Sequence, residues 1–454
     1  MSNAVPTGSS ATSASASPGS PSSVSPSPVT EARVPLSERV AVHDAGHARV
    51  LALPTPIDDV VSFRGSFWTA PDLGAGEELL QTLTVLLLDK GTQARDRFAV
   101  AEALEDRGAQ LSFYSDDLRV GFSGRALRDD LPAVLDLLAE QLRTPLLDVG
   151  EFAKAQAQVA AGIRRSMDAT GSQAAGLLNR RLYGPAHPNY MAEPADELAT
   201  LEAYTVDDVR AYHAAHFGGT KLRLALAGDL DPAQVAQRVE AALGDWAPHG
   251  TEARYDHDAA PTTPGTATRV IADKQNLDVR IGHPLALRRD HDDFLALYLG
   301  VYVLGGNFSA RLMSHVRDDL GLTYGIGAQL AGIAVEHDGH LLTRVTLSGP
   351  NLERGIEATL GEIRRFVEDG ITSDELAEKQ TTIAGTYAVG LGTTRGLATS
   401  LLVNAERGFD LAYLDQYPDR IHALTLDEVN AAIHRHLDPD ALHVGIAGTL
   451  PEVG

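Results

Sequence analysis

The stretch YTVDDVRAYHAAHFGGTKLRLALAGDL (204–230) lies over LTLDEVNAAIHRHLDPDALHVGIAGTL (424–450) without a gap, at a constant spacing of 220 residues. Thr205 meets Thr425, Asp207 meets Asp427, Val209 meets Val429, His216 meets His436, and Ala227-Gly228 meets Ala447-Gly448. Both copies read as a capped helix leading into an alternating strand that stops at glycine. A second block repeats at a spacing of 224, with Glu151, Gln156, Leu177, Leu178 and Gly184 falling on Glu375, Gln380, Leu401, Leu402 and Gly408. Repetition on this scale constrains the architecture before any single motif does. The expected organisation is a tandem duplication, with one domain over 35–250 and a second over 269–454. Residues 251–268 lie in a Pro/Gly/Thr/Asp-rich run that reads as the linker.

At 454 residues the chain is too long for one ordinary core, which agrees with two domains. The head, residues 1–34, is nearly all Ser, Pro, Ala, Thr and Val and is expected to be disordered, because it cannot bury enough apolar surface to offset chain entropy. It has no basic start and no continuous apolar segment, so it is a poor secretory signal. No apolar run approaches the ~20 residues of a membrane span. Together these set the expectation of a cytoplasmic protein that does not enter membranes. A net charge of −23 argues against nucleic-acid binding, which depends on Lys and Arg. With no cysteine, any metal site is left to His and carboxylates.

The coarse order of elements in the first half is ARVLAL and DVVSFRGSF as strands, EELLQTLTVLLLDK and RFAVAEALEDR as helices, then QLSFYSDD and LRVGFSGRA as strands. Helices follow from about 129 to 217, and then the strand LRLALAG. Strands and helices come in groups rather than in strict alternation. The predicted class is α+β, each half a mostly antiparallel sheet with helices packed on one face.

Several histidine groups invite a metal reading. VHDAGH (42–47) imitates the helical H-E-x-x-H signature, yet Asp-Ala-Gly between apolar strand-like flanks is hairpin chemistry, which removes the helical geometry from His43 and His47. Glu336-His337-Asp338-Gly339-His340 is read in the same way, as a turn before HLLTRVTLS. His216 recurs as His436, which favours a role in the fold over ligation, and no third ligand is evident for His434 and His436. An unrelated metalloenzyme built on His43, His47 and a carboxylate would need stoichiometric metal in the purified protein.

The duplicated plan, together with LLLDKGT (86–92), IRRSMD (163–168), YGPAHP (183–188) and NFSARLMSHVRDDLGLTYGIG (307–327), resembles the pitrilysin or insulinase metallopeptidase family, in its mitochondrial-processing-peptidase-like branch. The resemblance covers essentially everything after the head. It implies a zinc site formed by H-x-x-E-H on the helix before Lys-Gly-Thr and by a distal Glu before I-R-R. Counting from Thr92, those positions hold Thr82, Val85 and Leu86, with Gly162 at the distal one. Val85 and Leu86 have no donor atom, Gly162 has no side chain, and a lone Thr hydroxyl is a poor zinc ligand. No His occurs between His47 and His187, so a slip in alignment does not rescue the site. The chain is expected to hold no metal or cofactor and to have no catalytic residue of its own.

The same resemblance implies substrate contacts in the second half. Family members use an Arg and a Tyr after a Gly-rich stretch to hold substrate carbonyls, and the match here gives Arg317 and Tyr324. The plainer reading of the residues is an Arg paired with Asp318 or Asp319 near a helix end and a Tyr on a half-buried strand. Loss of the zinc residues with retention of Arg and Tyr resembles the zinc-less subunit of two-chain enzymes. The implied partner is a homologous zinc-bearing subunit, with peptides as substrates and zinc in the partner. The alternative is a non-enzymatic peptide-binding or scaffold protein, homodimeric or otherwise, that retains the fold.

Overall fold

The structure, a computed structural model, describes residues 34–57, 59–116, 118–249, 258–260 and 262–450. The head up to residue 33 and residues 251–257 and 261 of the expected linker lie outside the described residues. The first half runs α1 (Leu36–Arg39), β1 (Ala41–Ala45), β2 (Ala48–Pro54), β3 (Val60–Trp68), α2 (Glu77–Leu87), α3 (Arg97–Glu105), β4 (Gln110–Ser115) and β5 (Arg119–Leu127). It continues with α4 (Leu131–Arg143), α5 (Val149–Asp168), α6 (Thr170–Leu182), α7 (Pro194–Ala203), α8 (Val206–His216), β6 (Arg223–Gly228) and α9 (Pro232–Leu243). The second half runs β7 (Thr266–Val270), β8 (Asn276–Leu285), α10 (Phe294–Gly305), β9 (Thr323–Ala331) and β10 (Gly339–Ser348). After these come α11 (Leu352–Asp369), α12 (Ser373–Gly390), α13 (Thr394–Glu406), α14 (Ala412–Ala423), α15 (Leu426–His436) and β11 (His443–Gly448).

The two sheets share one topology. The first is ordered β1-β2-β6-β3-β5-β4 and the second β7-β11-β8-β10-β9, so the first carries one added hairpin strand. In both sheets one pair is parallel, β2 with β6 and β7 with β11, and the other neighbours are antiparallel. The fold is α+β, as the grouping of elements predicts.

Local chemistry explains why the repeat survives where it does. Thr205 and Asp208 form a reciprocal capping box at the start of α8, and Thr425 with Glu428 does the same for α15. The repeated glutamines close helix ends. Gln156 donates to the carbonyls of Leu201 and Tyr204 at 2.8 and 2.9 Å, and Gln380 donates to those of Ile421 and Leu424 at 3.0 and 2.9 Å. Gly228 and Gly448 end their strands at φ of 149° and 144°. A Cβ at Gly228 would lie 2.1 Å from the Val60 carbonyl oxygen, and one at Gly448 would lie 2.9 Å from that of Asn276. Only glycine fits both the torsion and the space.

The layering departs from the expected helices on one face. Each sheet packs most helices of its own half on one side, over a core that includes Phe63, Phe67, Leu83 and Leu138 in the first half and Ile281, Leu297, Val345 and Phe366 in the second. The opposite side takes one helix from the other half. Helix α13 lies on β6 and β3, burying Ala398, Leu401 and Leu402 against Leu51, Leu53, Ala225 and Ala227. Helix α6 lies reciprocally on β11 and β8. These two helices are related by the 224-residue spacing, so the exchange is symmetric.

Candidate functional site

VHDAGH forms the β1–β2 hairpin, with Ala45 paired to Ala48 around Gly46 and His47. His43 is opposite Val50 within the ladder, whereas His47 sits exposed in the turn. The Asp338-Gly339 step is not the tip of a turn. Gly339 already pairs with Leu285 as the first residue of β10, and the preceding connection folds inward, burying Glu336, His337 and Asp338. There His187 lies 3.1 Å from Asp338, Tyr183 hydrogen-bonds His340 at 2.9 Å, and Arg119 of β5 forms an ion pair with Glu336. The segment is a polar seam between the halves, and polar groups this deep need partners in place.

His216 bonds the Thr69 carbonyl at 2.8 Å, and its repeat partner His436 bonds Asp293 at 2.7 Å. Asp293 immediately precedes α10, the counterpart of α2, and His216 also lies 3.8 Å from Glu77, the first residue of α2, so both histidines tie a helix start to the end of α8 or α15. The third ligand that sequence spacing does not reveal beside His436 is present, since His291, Asp293 and His436 bring ligand atoms within 4.8 Å of one another. They are the one such group among the described residues. However, Asp293 is already paired to Arg435 as well as His436, and His291 Nδ1 accepts from the Asp293 backbone at 3.0 Å. That trio reads as an internally satisfied ion pair.

The positions of the expected zinc motif lie on α2 and α5. Val85 is buried with Leu79 in the core, Thr82 and Leu86 are half-buried on a neighbouring face of α2, and Gly162 is half-buried on α5. Gly162 borders a cavity of about 380 Å³ with Ser166, Gln173, Arg180, Tyr190 and Glu197 on its walls. Burial raises the Glu197 carboxyl above its ordinary range and lowers the Arg180 guanidinium. No imidazole lines this cavity among the described residues, and the four motif positions offer one hydroxyl between them. The donor set does not fit zinc.

Arg317 and Tyr324 flank a tight connection. A π-helical turn over Met313–Asp319 ends in Leu320-Gly321-Leu322, where Gly321 has φ of 62° and donates to the Arg317 carbonyl at 3.1 Å. Strand β9 then begins. Thr346 pairs with Gly325 and Leu347 with Thr323, which leaves Tyr324 as the extra residue of a β-bulge. The bulge turns it outward, and Tyr324 is 97% exposed at the start of an edge strand. The Arg317 guanidinium is held by Asp318, with contacts of 2.7 and 3.2 Å, and lies 5.4 Å from the Phe308 ring. Asp318 raises the Arg317 pKa further, and Arg317 lowers that of Asp318. The plainer reading of the sequence, an Arg bound to a neighbouring Asp, therefore describes the resting geometry. Tyr324 is close enough to interact electrostatically with Arg317.

Phe308, 77% exposed beneath Arg317, is a member of this surface that residue chemistry alone did not single out. Its sequence signal is the NFSAR stretch, residues 307–311. The neighbouring residues are anchored to α12. Lys379 is buried and donates to Ser309 at 2.7 Å, and Arg311 grips Glu375 through two 2.7 Å bonds.

Comparison with known proteins adds to this geometry. Residues 83–183 match the model described as "Insulinase (Peptidase family M16)", and residues 203–383 match "Peptidase M16 inactive domain". The chain belongs to the M16 peptidase family. Its relatives include an uncharacterised zinc protease of Streptomyces coelicolor, 24% identical over 357 residues, covering 76% of this chain and 75% of that protein. A non-peptidase homolog of Helicobacter pylori is 22% identical over 370 residues, covering 81% of this chain and 84% of that protein. Among solved structures, a peptidase M16 inactive domain from Pseudomonas fluorescens superposes with a TM-score of 0.81 at 24% identity, over 91% of this chain and 98% of that one. This M16 chain is a zinc-less member of the inactive type.

Proposed function

We propose that this M16 chain is the non-catalytic subunit of a two-chain zinc peptidase, lending peptide-binding and carbonyl contacts to a zinc-bearing sister. The observation that carries the reading is a contrast within one chain. The four zinc-motif positions lack ligands, while Arg317 and the bulged Tyr324 stand together at the open edge of the second sheet. An edge strand can accept an extended peptide through main-chain hydrogen bonds. A guanidinium and a phenol beside it are donors suited to a substrate carbonyl or a developing oxyanion. For that role Arg317 must exchange Asp318 for the substrate, which is feasible for an ion pair open to solvent. Zinc belongs to the partner in this reading, and the setting is cytoplasmic.

The Arg317–Asp318 pair also favours a second reading, in which the chain binds peptides or scaffolds an assembly without assisting hydrolysis. The experiment is to purify the protein alone and with a zinc-bearing homologous chain and to assay peptide cleavage. The expected result is cleavage by the pair only, lost on Arg317→Ala. Cleavage by the solitary chain, or full activity of the paired Arg317→Ala variant, refutes the subunit role.

A further inference from the structure

A groove on the first sheet concentrates positive charge in a chain whose net charge is −23. Arg64 of β3, Arg125 of β5 and Arg395 at the start of α13 line a cavity of about 460 Å³, with Ser62, Ser112 and Gln110 on the same face. Among the described residues, no Asp or Glu lines it. The face is shared by register, since Ser62 pairs with Arg125, Arg64 with Ser123, Gln110 with Arg125, and Ser112 with Ser123.

The internal repeat supplies a control. Ser62 and Arg64 stand opposite Ala227 and Ala225 of β6, whereas Asp278 and Arg280 stand opposite Ala447 and Gly445 of β11. Ala227 and Ala447, like Ala225 and Gly445, are 220 residues apart, so Arg64 and Arg280 are equivalent and Ser62 replaces Asp278. In the second half the arginine has its carboxylate, with Arg280 3.4 Å from Asp278. In the first half Ser62 instead hydrogen-bonds Thr394 at 2.9 Å, and among the described residues Arg64 meets the Thr399 hydroxyl at 3.2 Å and Tyr114, whose ring it faces and whose phenol it hydrogen-bonds, but no carboxylate. The third arginine is likewise specific to this side. At the 224-residue spacing Arg395 corresponds to Gly171, whose ideal Cβ would lie 3.1 Å from the Arg280 guanidinium. Arg125 and Arg395 are exposed and have no ion pair among the described residues. One side of the duplicated frame is thus neutralised internally, and the other leaves three guanidinium groups for an outside anion.

We propose that this groove binds the acidic side chains of an extended peptide lying along β4, the last strand of its sheet. The proposal goes beyond the reading above, which places a peptide at the edge of the second sheet, and gives the first sheet a peptide edge and a substrate class of its own. A strand added to β4 directs alternate side chains, ~7 Å apart, over the face that carries Gln110 and Ser112, within reach of Arg125 and Arg64. That position favours a peptide over a free anion, and guanidinium groups pair with carboxylates through two parallel bonds.

The test is fluorescence anisotropy of fluorescein-labelled hexaglutamate and hexaglutamine with the full chain. Hexaglutamate is expected to bind roughly tenfold or more tightly than hexaglutamine, and to lose that advantage in Arg125→Ala/Arg395→Ala. Arg280→Met, on the neutralised side, is expected to leave the preference intact. Both residues of the double variant are exposed, so an unchanged thermal midpoint is expected to accompany the loss. Equal binding of the two peptides, or unchanged hexaglutamate affinity in the double variant, overturns the acidic preference while leaving peptide binding standing. No binding of either peptide refutes the groove proposal, and the role of Arg317 and Tyr324 is decided separately by the paired cleavage assay. Displacement of hexaglutamate by equimolar inorganic phosphate would identify a free-anion site and refute the peptide.

Discussion

Leu178 and Leu402 occupy equivalent positions in the two repeats, and each is buried against the sheet of the other half. Leu402 packs with Leu51, Leu53, Ala225 and Ala227 of the first sheet, and Leu178 lies over Gly282 and Gly445 of the second. Neither half covers the second face of its sheet with its own residues. Leu178→Ala and Leu402→Ala are each expected to cost about 2–5 kcal/mol. Both variants should unfold in one cooperative transition in urea. A biphasic curve, with one half melting first, would contradict the exchanged packing.

Arg317→Ala is expected to lower paired peptidase activity by about 10²-fold, the scale of losing one oxyanion donor. Its thermal midpoint should stay near that of the parent, because the side chain contacts mainly Asp318 and Phe308 at the surface. Tyr324→Phe should impair the same reaction without altering stability. Steady-state kinetics of the reconstituted pair would check both.

The Arg119–Glu336 pair joins the first sheet to the buried connection before β10, and both side chains are about nine-tenths buried. Arg119→Met leaves Glu336 buried without its counter-charge, at a cost of about 3–5 kcal/mol. Adding Glu336→Gln should recover much of that loss. Chemical denaturation of the two single variants and the double variant measures the coupling; strict additivity would mean that the two groups do not interact.

The seam also makes stability depend on pH. Burial, and then the nearby His187 and His283, push the His340 pKa down to about 4, and burial lowers His283, His337 and His443 too. A histidine with a depressed folded pKa takes up its proton in the unfolded chain first. Stability is therefore full above the unfolded value of about 6.5 and falls as pH drops toward the folded value. His340→Gln should reduce the slope of unfolding free energy against pH by roughly one proton between pH 6 and 5. An unchanged slope would mean that His340 titrates normally.

Much of this architecture is readable from residues alone, for reasons that can be named. The repeats of Thr205 with Thr425 and Gln156 with Gln380 reflect caps and helix closures within each half, which depend on near neighbours in sequence. The helix exchange was less legible, because periodicity reports which residues are buried without saying against what. A clue lay in the runs VLAL of β2 and LALA of β6, apolar at successive positions as strands covered on both faces must be. The inward fold of Glu336–Asp338 escaped turn chemistry, since Asp-Gly is equally at home where a strand begins. Adjacency already suggested the bond between Arg317 and Asp318, whereas the outward thrust of Tyr324 comes from a bulge that only cross-strand register reveals. The three groove arginines are far apart in sequence and meet only through pairing of β3 with β5 and the crossing of α13.

That crossing bears on how small a closed unit can be. A single repeat would leave α6 or α13 projecting with no sheet of its own to cover, so the smallest unit able to cover both faces of its sheet is two copies trading that helix. Holding the trade within one polypeptide leaves the two sides free to differ, as Ser62 and Asp278 do.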